Sequence, residues 1–241
     1  ITNSGNWNDT TTSQVNAAYG GGATFINAVG GTYTKSAGTT TFNVPFSNSG
    51  AVNVTGGTLN LATGGTFYDG SSIGSSGSGV AQLTGGVLTG NGTGVFTATN
   101  FLLTGGQLSG NMTFLGTTNW VGSNFNTAGT ATIGATGTMD ITSAADHDFQ
   151  GHAIVNNGTV NWLAGNLRSG SNGSITNNAT WNDAASAQVN GAYGGGTTFT
   201  NAATGVYNKT AGVTTMGSGI FVNQGTVSVT GGQLDLVGGT L

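Results

Sequence analysis

Apolar and polar residues alternate in short runs along most of this chain, and pairs of glycines separate the runs. In the stretch from Val52 to Thr66, Val52-Asn53-Val54 and Leu59-Asn60-Leu61 flank Gly56-Gly57. A period of two puts the aliphatic side chains on one face and the polar ones on the other, which predicts half-buried strands joined by a bend. The unit returns as Val227-Ser228-Val229 and Leu234-Asp235-Leu236 around Gly231-Gly232. Val52, Val54, Leu59, Leu61, Val227, Val229, Leu234 and Leu236 are therefore expected in the core. Phe114, Ile133, Met139, Ile141, Val160, Trp162 and Leu167 share their phase.

Two longer periods organise these runs. Trp7-Asn8-Asp9 returns as Trp181-Asn182-Asp183, Gln14-Val15-Asn16 as Gln188-Val189-Asn190, and Tyr19-Gly20-Gly21-Gly22 as Tyr193-Gly194-Gly195-Gly196, all at an offset of 174 residues. Residues 1–174 thus read as one full super-repeat and 175–241 as the start of the next. Inside the super-repeat, Asn27, Asn48, Asn156, Asn177, Asn201 and Asn223 recur in the context Phe/Ile-x-Asn, 21 to 24 residues apart where they follow one another directly. A repeat of about 22 residues made of period-2 strands and glycine-rich turns predicts an all-β solenoid, with one repeat per coil and eight coils per super-repeat.

One coil cannot bury its apolar face alone. Stacked at about 4.8 Å, each coil shares its backbone ladder with its neighbours, and like side chains fall into columns. The asparagines should form one such column at a bend. Antiparallel pairing across Gly56-Gly57 would make a hairpin instead and refute the solenoid. Three places depart from the pattern. Pro45 lacks the N–H a ladder needs and belongs at a turn. Phe67 to Gly79 reads as a protruding loop or an extended side of a coil, and Ser13 to Ala18 as a short helix ended by Gly20-Gly21-Gly22. Neither Ile1-Thr2-Asn3-Ser4 nor Gly238-Gly239-Thr240-Leu241 resembles a polar cap, so the coils are expected to continue in a longer chain or to stack end to end.

Composition sharpens this picture. The 241 residues include 47 Gly, 1 Pro and no Cys, and only 4% are charged. Helix-forming Glu, Lys and Arg are almost missing while Thr, Val and Asn abound, which favours strands and turns. Disorder does not fit, because 36% of the residues are hydrophobic and they are regularly spaced. A formal net charge of −4 offers no basic surface for phosphates, so nucleic acid is not an expected partner. No apolar run reaches the roughly 18 residues of a membrane-spanning helix, and no membrane insertion by this segment is expected.

The stretches Phe25-Ile26-Asn27, Gly31-Thr32-Tyr33 and Phe46-Ser47-Asn48-Ser49-Gly50-Ala51-Val52 resemble the F-x-N-x-G-x-[VY] coil pattern of autotransporter and filamentous-haemagglutinin-like passengers of bacterial surface proteins. That resemblance implies a right-handed parallel β-helix, export to the bacterial cell surface, and service as an extracellular fibre, stalk or adhesin. It carries no catalytic motif and no cofactor.

Candidate chemistry is sparse. Asp146, His147, Asp148 and His152 form the one concentration of ionisable groups, a weak candidate for a metal ion or for acid and base work against a solvated loop. Lys35 and Lys209 recur with Asp9 and Asp183, as charges linking neighbouring repeats or filaments or as solvated surface. Trp7, Trp120, Trp162, Trp181, Tyr19 and Tyr193 are sugar-stacking platforms or internal aromatic columns. Thr39, Thr40, Thr41, Thr113 and Thr130 could join a flat array of the ice-binding type. The leading expectation is a non-catalytic rigid rod whose partners are other copies of itself, end to end or side by side, or surface glycans. The alternative is a carbohydrate-binding or carbohydrate-active β-helix.

Overall fold

The computed structural model describes residues 1–91 and 96–238. Among them every regular element is a strand and every strand pairing is parallel. Each coil has three sides. The first coil supplies Thr2–Asn3 to the first side, Asn6–Asp9 to the second and Ser13–Val15 to the third. These pair with Phe25–Asn27, Thr32–Lys35 and Thr39–Phe42 of the next coil. About 11 turns of about 21 residues follow, a rod roughly 50 Å long at the usual strand spacing.

Val52 illustrates why no hairpin forms. It lies opposite Tyr33 of the preceding coil and Ile73 of the following one, and Leu59 lies opposite Thr40 and Ala81. Gly56-Gly57 is a corner between the second and third sides. Gly57 has φ 70°, and a Cβ there would come within 2.1 Å of the Gly38 carbonyl oxygen one coil away. Only glycine lets the corners of successive coils nest that closely.

Alternation places the core as expected over most of the length. Val52, Val54, Leu59 and Leu61 are buried, as are Phe114, Ile133, Met139, Ile141, Val160, Trp162 and Leu167. The last described coil departs from this. Val227, Leu234 and Leu236 are only partly buried, and Val229 is 51% exposed. Among the described residues that coil is paired on one side alone, and a solenoid side chain is covered by the coils both above and below it.

Other expectations are corrected. Ser13 to Ala18 is not a helix: Ser13–Val15 is a strand paired with Thr40, Thr41 and Phe42, and the gain of a ladder overrides local preference. Of the two readings of Phe67 to Gly79, the extended side holds. Gly64–Tyr68 and Ser72–Ser75 are strands, with Ile73 buried between Val52 and Ala98. Pro45 lies between strands, where its carbonyl accepts from the Phe25 N–H at 3.1 Å. Mid-rod, Gln107–Trp120 and Gly129–Ile141 run past corners as single long strands. Residues 239–241, part of the end expected to lack a cap, lie outside the described residues.

The super-repeat is not a whole number of coils. Eight steps along the register lead from Gln14, by way of Asn60 and Asn119, to Asn182. Asn182 is the copy of Asn8 and not of Gln14. Eight steps from Trp7, through Val52 and Phe114, likewise reach Asn177, the copy of Asn3. Each super-repeat therefore spans eight coils and one further side, and its copy sits in the rod turned by one side.

Candidate functional site

Asparagine is the commonest polar residue of the interior. Asn27 donates through Nδ2 to Asn48 Oδ1, Asn156 to Asn177, Asn177 to Asn201 and Asn201 to Asn223, each at 2.8 Å. Each of these four amides also donates to a backbone carbonyl in the next coil, such as Ala51 O at 3.0 Å and Thr180 O at 2.8 Å. The column is thus two stacks, and it contains an asparagine the spacing argument passed over. Asn3 donates to Asn27 at 2.8 Å. Its signal was the 174-residue offset to Asn177. Because the copies are turned, the Asn3 stack occupies the first side and the Asn156 stack the second. Phe67 opposite Asn48 and Ile133 opposite Asn156 end them.

The recurring Lys and Asp are not solvated surface charges; each pair links neighbouring coils from inside the rod. Asp9 and Lys35 are register partners in adjacent coils, buried and 3.1 Å apart, and Asp183 and Lys209 repeat this at 3.0 Å. Lys209 Nζ donates to Asp183 Oδ1, to Ala185 O at 2.7 Å and to Thr214 Oγ1 at 2.7 Å. Lys35 Nζ likewise donates to Thr11 O and to Thr40 Oγ1, besides meeting Asp9. Each of the two nitrogens thus has three acceptors within reach, one for each hydrogen of an ammonium group. Burial alone would raise the Asp9 carboxyl, but hydrogen bonds from Thr40, Tyr33 and Thr11 outweigh it and hold Asp9 well below the usual carboxylate range. Burial, then the hydrogen bond to Asp9, pushes the Tyr33 phenol far up, and burial beside Asp183 does the same to Tyr207. The clue was parity: Asp9 shares the inward phase of Trp7, and Lys35 that of Tyr33.

The charged stretch divides between inside and outside. His147 is buried against Trp120, with ring centroids 4.9 Å apart, and His152 against Phe125 at 5.1 Å. His147 Nε2 faces Ser143 O at 3.2 Å and His152 Nδ1 faces Thr127 O at 2.7 Å, so each ring donates there. Burial pushes both imidazoles below their ordinary range, and His147 Nδ1 and His152 Nε2 have no partner. Asp146 and Asp148 belong instead to an outer cluster on the first side. Arg168 bridges them, with Nη1 2.8 Å from Asp146, Nε 2.8 Å from Asp148 Oδ1, and Nη2 3.1 Å from Asp148 Oδ2. Tyr193 donates to Asp148 at 2.7 Å and accepts from Arg168 at 3.0 Å. The hydrogen bond to Asp148 raises the Arg168 guanidinium and the Tyr193 phenol. The two carboxylates are thus committed to one cation, and the four metal candidates do not converge. Among the described residues no three His, Cys, Asp or Glu come together around a point.

Three of the six aromatic candidates follow the internal reading: Trp120, Trp162 and Trp181 are buried, whereas Trp7 is 40% exposed in the first coil and Tyr19 and Tyr193 stand exposed on turns. The threonines do not make one array: Thr40 points inward to Asp9, Thr39 and Thr41 lie on the third side, and Thr113 and Thr130 on the second. Comparison with protein-family models, with curated proteins and with solved structures gave no match.

Proposed function

We propose that the chain is a non-catalytic structural segment of an extracellular bacterial fibre, stalk or adhesin. The observation that carries this reading is the parallel ladder itself, stapled inside by two Asn stacks and two buried ion pairs. Load along a rod of this kind is shared by backbone hydrogen bonds and by interior polar links between adjacent coils. The buried lysines and their aspartates are taken up in links between coils, which suits a structural role, and the family resemblance points the same way. Surface location is tested by labelling intact cells of the source organism with an antibody to the chain. Fibre diffraction of the native material tests the rod: an axial repeat near 4.8 Å is expected. Labelling confined to the cytosol, or no axial repeat, overturns the reading.

A second reading, glycan binding, is supported by a groove of about 400 Å³ on the second side, where Gly74 leaves room among Thr34, Asn53, Ser72 and Thr99. Hydroxyls and an amide around a shallow, uncharged groove suit a neutral sugar. Glycan-array binding lost in Gly74→Val supports this; no binding to any glycan removes it.

A further inference from the structure

The outward positions of a solenoid strand are free of packing demands, yet on the third side they keep one chemistry for most of the rod. Thr117, Thr138, Thr159 and Thr180 are consecutive register partners, and Thr226 continues the column beyond Val206. Two residues along each strand runs a second column containing Asn119, Asp140, Asn161, Asn182 and Asn208. Its side chains are tied to each other: Asn161 donates to Asp140 at 2.8 Å, Asn182 to Asn161 at 2.9 Å and Asn208 to Asn182 at 3.1 Å. Earlier coils carry the same scheme, with Asn60 donating to Thr41 at 3.1 Å and Gln82 to Asn60 at 2.5 Å.

Asn60, Gln82, Asn161, Asn182 and Asn208 each donate once along the rod, and a primary amide has a second N–H to offer a partner. Among the described residues Asp140 is the only charged residue on the outer face of this side, since Asp183 and Lys209 of the same strands point inward. The other aspartates lie inside, at a turn, or on the first side. The third-side columns are broken at Val80, Leu102 and Val206, but from Asn119 to Asn208 the amide column runs without interruption, whereas on the second side Gly74 and Leu115 interrupt the outer column and the register slips between Phe114 and Gly116.

We infer that the third side is the surface by which two copies of this chain pack laterally, face to face. This rests on the reading of the chain as a fibre segment and names the face that reading leaves open. The periodicity selects the occupant. A row of hydroxyls and amides repeating at about 4.8 Å is commensurate along its whole length only with a partner of the same rise. Another copy has that rise by construction, and with a single carboxylate on the face, already accepting from Asn161, little repulsion opposes the contact. The eleven rungs of this side, each a strand of about four residues, cover about 50 Å by 13 Å, so a pair buries on the order of 1,300 Å² in total, the low end for a specific interface. Association should therefore be weak and concentration-dependent.

Sedimentation equilibrium of the whole chain tests it. The expected result is a concentration-dependent dimer, weakened at least tenfold by Asn161→Lys with Asn182→Lys and unchanged by Thr176→Lys with Thr200→Lys on the second side. Should the lysine pair disturb folding, Thr180→Cys in this cysteine-free chain joined by a short bis-maleimide gives a second measurement, with Thr176→Cys as the control. A monomer at every concentration, or equal effects on both sides, overturns the inference. Retention of a monomeric wild type on a neutral polysaccharide, lost in the third-side variant, overturns it in favour of a glycan. A monomeric rod with surface labelling and an axial repeat leaves the fibre reading standing and removes only this step.

Discussion

Asp183 and Lys209 face each other in neighbouring coils, and their side chains meet at 3.0 Å with no solvent exposure on either. An ion pair so placed need not stabilise the fold relative to a hydrophobic pair, but removing one partner strands the other. Lys209→Met should therefore cost about 3–5 kcal/mol, read from urea denaturation. Replacing both, as Asp183→Leu with Lys209→Met, should recover most of that loss. A double variant no more stable than the single one would show that the lysine acts by packing and not by charge.

Asn177 occupies the middle of its stack, accepting from Asn156 and donating to Asn201 and to Val206 O at 3.2 Å. Asn177→Ala leaves buried groups in two coils without partners, each worth about 1–3 kcal/mol. A loss of at least 2 kcal/mol or so is expected in the same denaturation experiment. Asn178→Ala, whose side chain meets Asn157 at the surface, should stay within about 0.5 kcal/mol of the parent.

Acid should act first through the histidines. Burial lowers the folded-state affinity of His147 and His152 for protons, whereas in the unfolded chain both titrate near the ordinary value of about 6.5. The unfolded state then binds protons first, so stability is level above roughly pH 6.5 and falls as pH drops through the folded-state values. Asp9, lowered in the fold, adds its own loss as pH falls through about 4, where the unfolded carboxyl is half protonated and the folded one still ionised. Melting temperature against pH, with His147→Phe and His152→Phe alongside, separates the two: the phenylalanine variants should flatten the first fall below about pH 6.5 and leave the acid limb due to Asp9 intact.

Much of this architecture was legible in the chain, and the failures have physical causes. Alternation around Val52 and Leu59 reported strand, face and core together, because a period of two has one inward phase. The recurrence of Asn27, Asn48 and their relatives reported the coil, because a buried amide stack needs the same residue at the same corner in each turn. Lys35 was hidden by its chemistry: lysine is ordinarily solvated, and only its shared parity with Tyr33 marks it as inward. His147 between Asp146 and Asp148 looked like a convergent cluster in one dimension, but adjacent strand residues project to opposite faces. The turning of the second copy could not be seen from spacing, since 174 lies close to eight coils of 22 residues; it takes the register to show that the coils are nearer 21.

Corner glycines should divide by neighbourhood. Gly57 and Gly20 both have positive φ, 70° and 76°, but a Cβ on Gly57 meets the Gly38 carbonyl whereas one on Gly20 meets nothing within 4 Å. Gly20→Ala should cost about 1–2 kcal/mol of backbone strain. Gly57→Ala should cost clearly more, because the coil below must also move. Thermal denaturation of the two variants checks the order.

A super-repeat that returns turned by one side places one sequence in three neighbourhoods before it comes back into line. Trp7-Asn8-Asp9 serves the second side, and its twin Trp181-Asn182-Asp183 serves the third. The interchangeable part is consequently a single strand with its turn, and the coil is only what three of them make. Gaining or losing one such part re-aims everything that follows around the axis while each strand still finds a parallel neighbour. Length changes too small to add a coil thus become a means of steering which way a surface feature points.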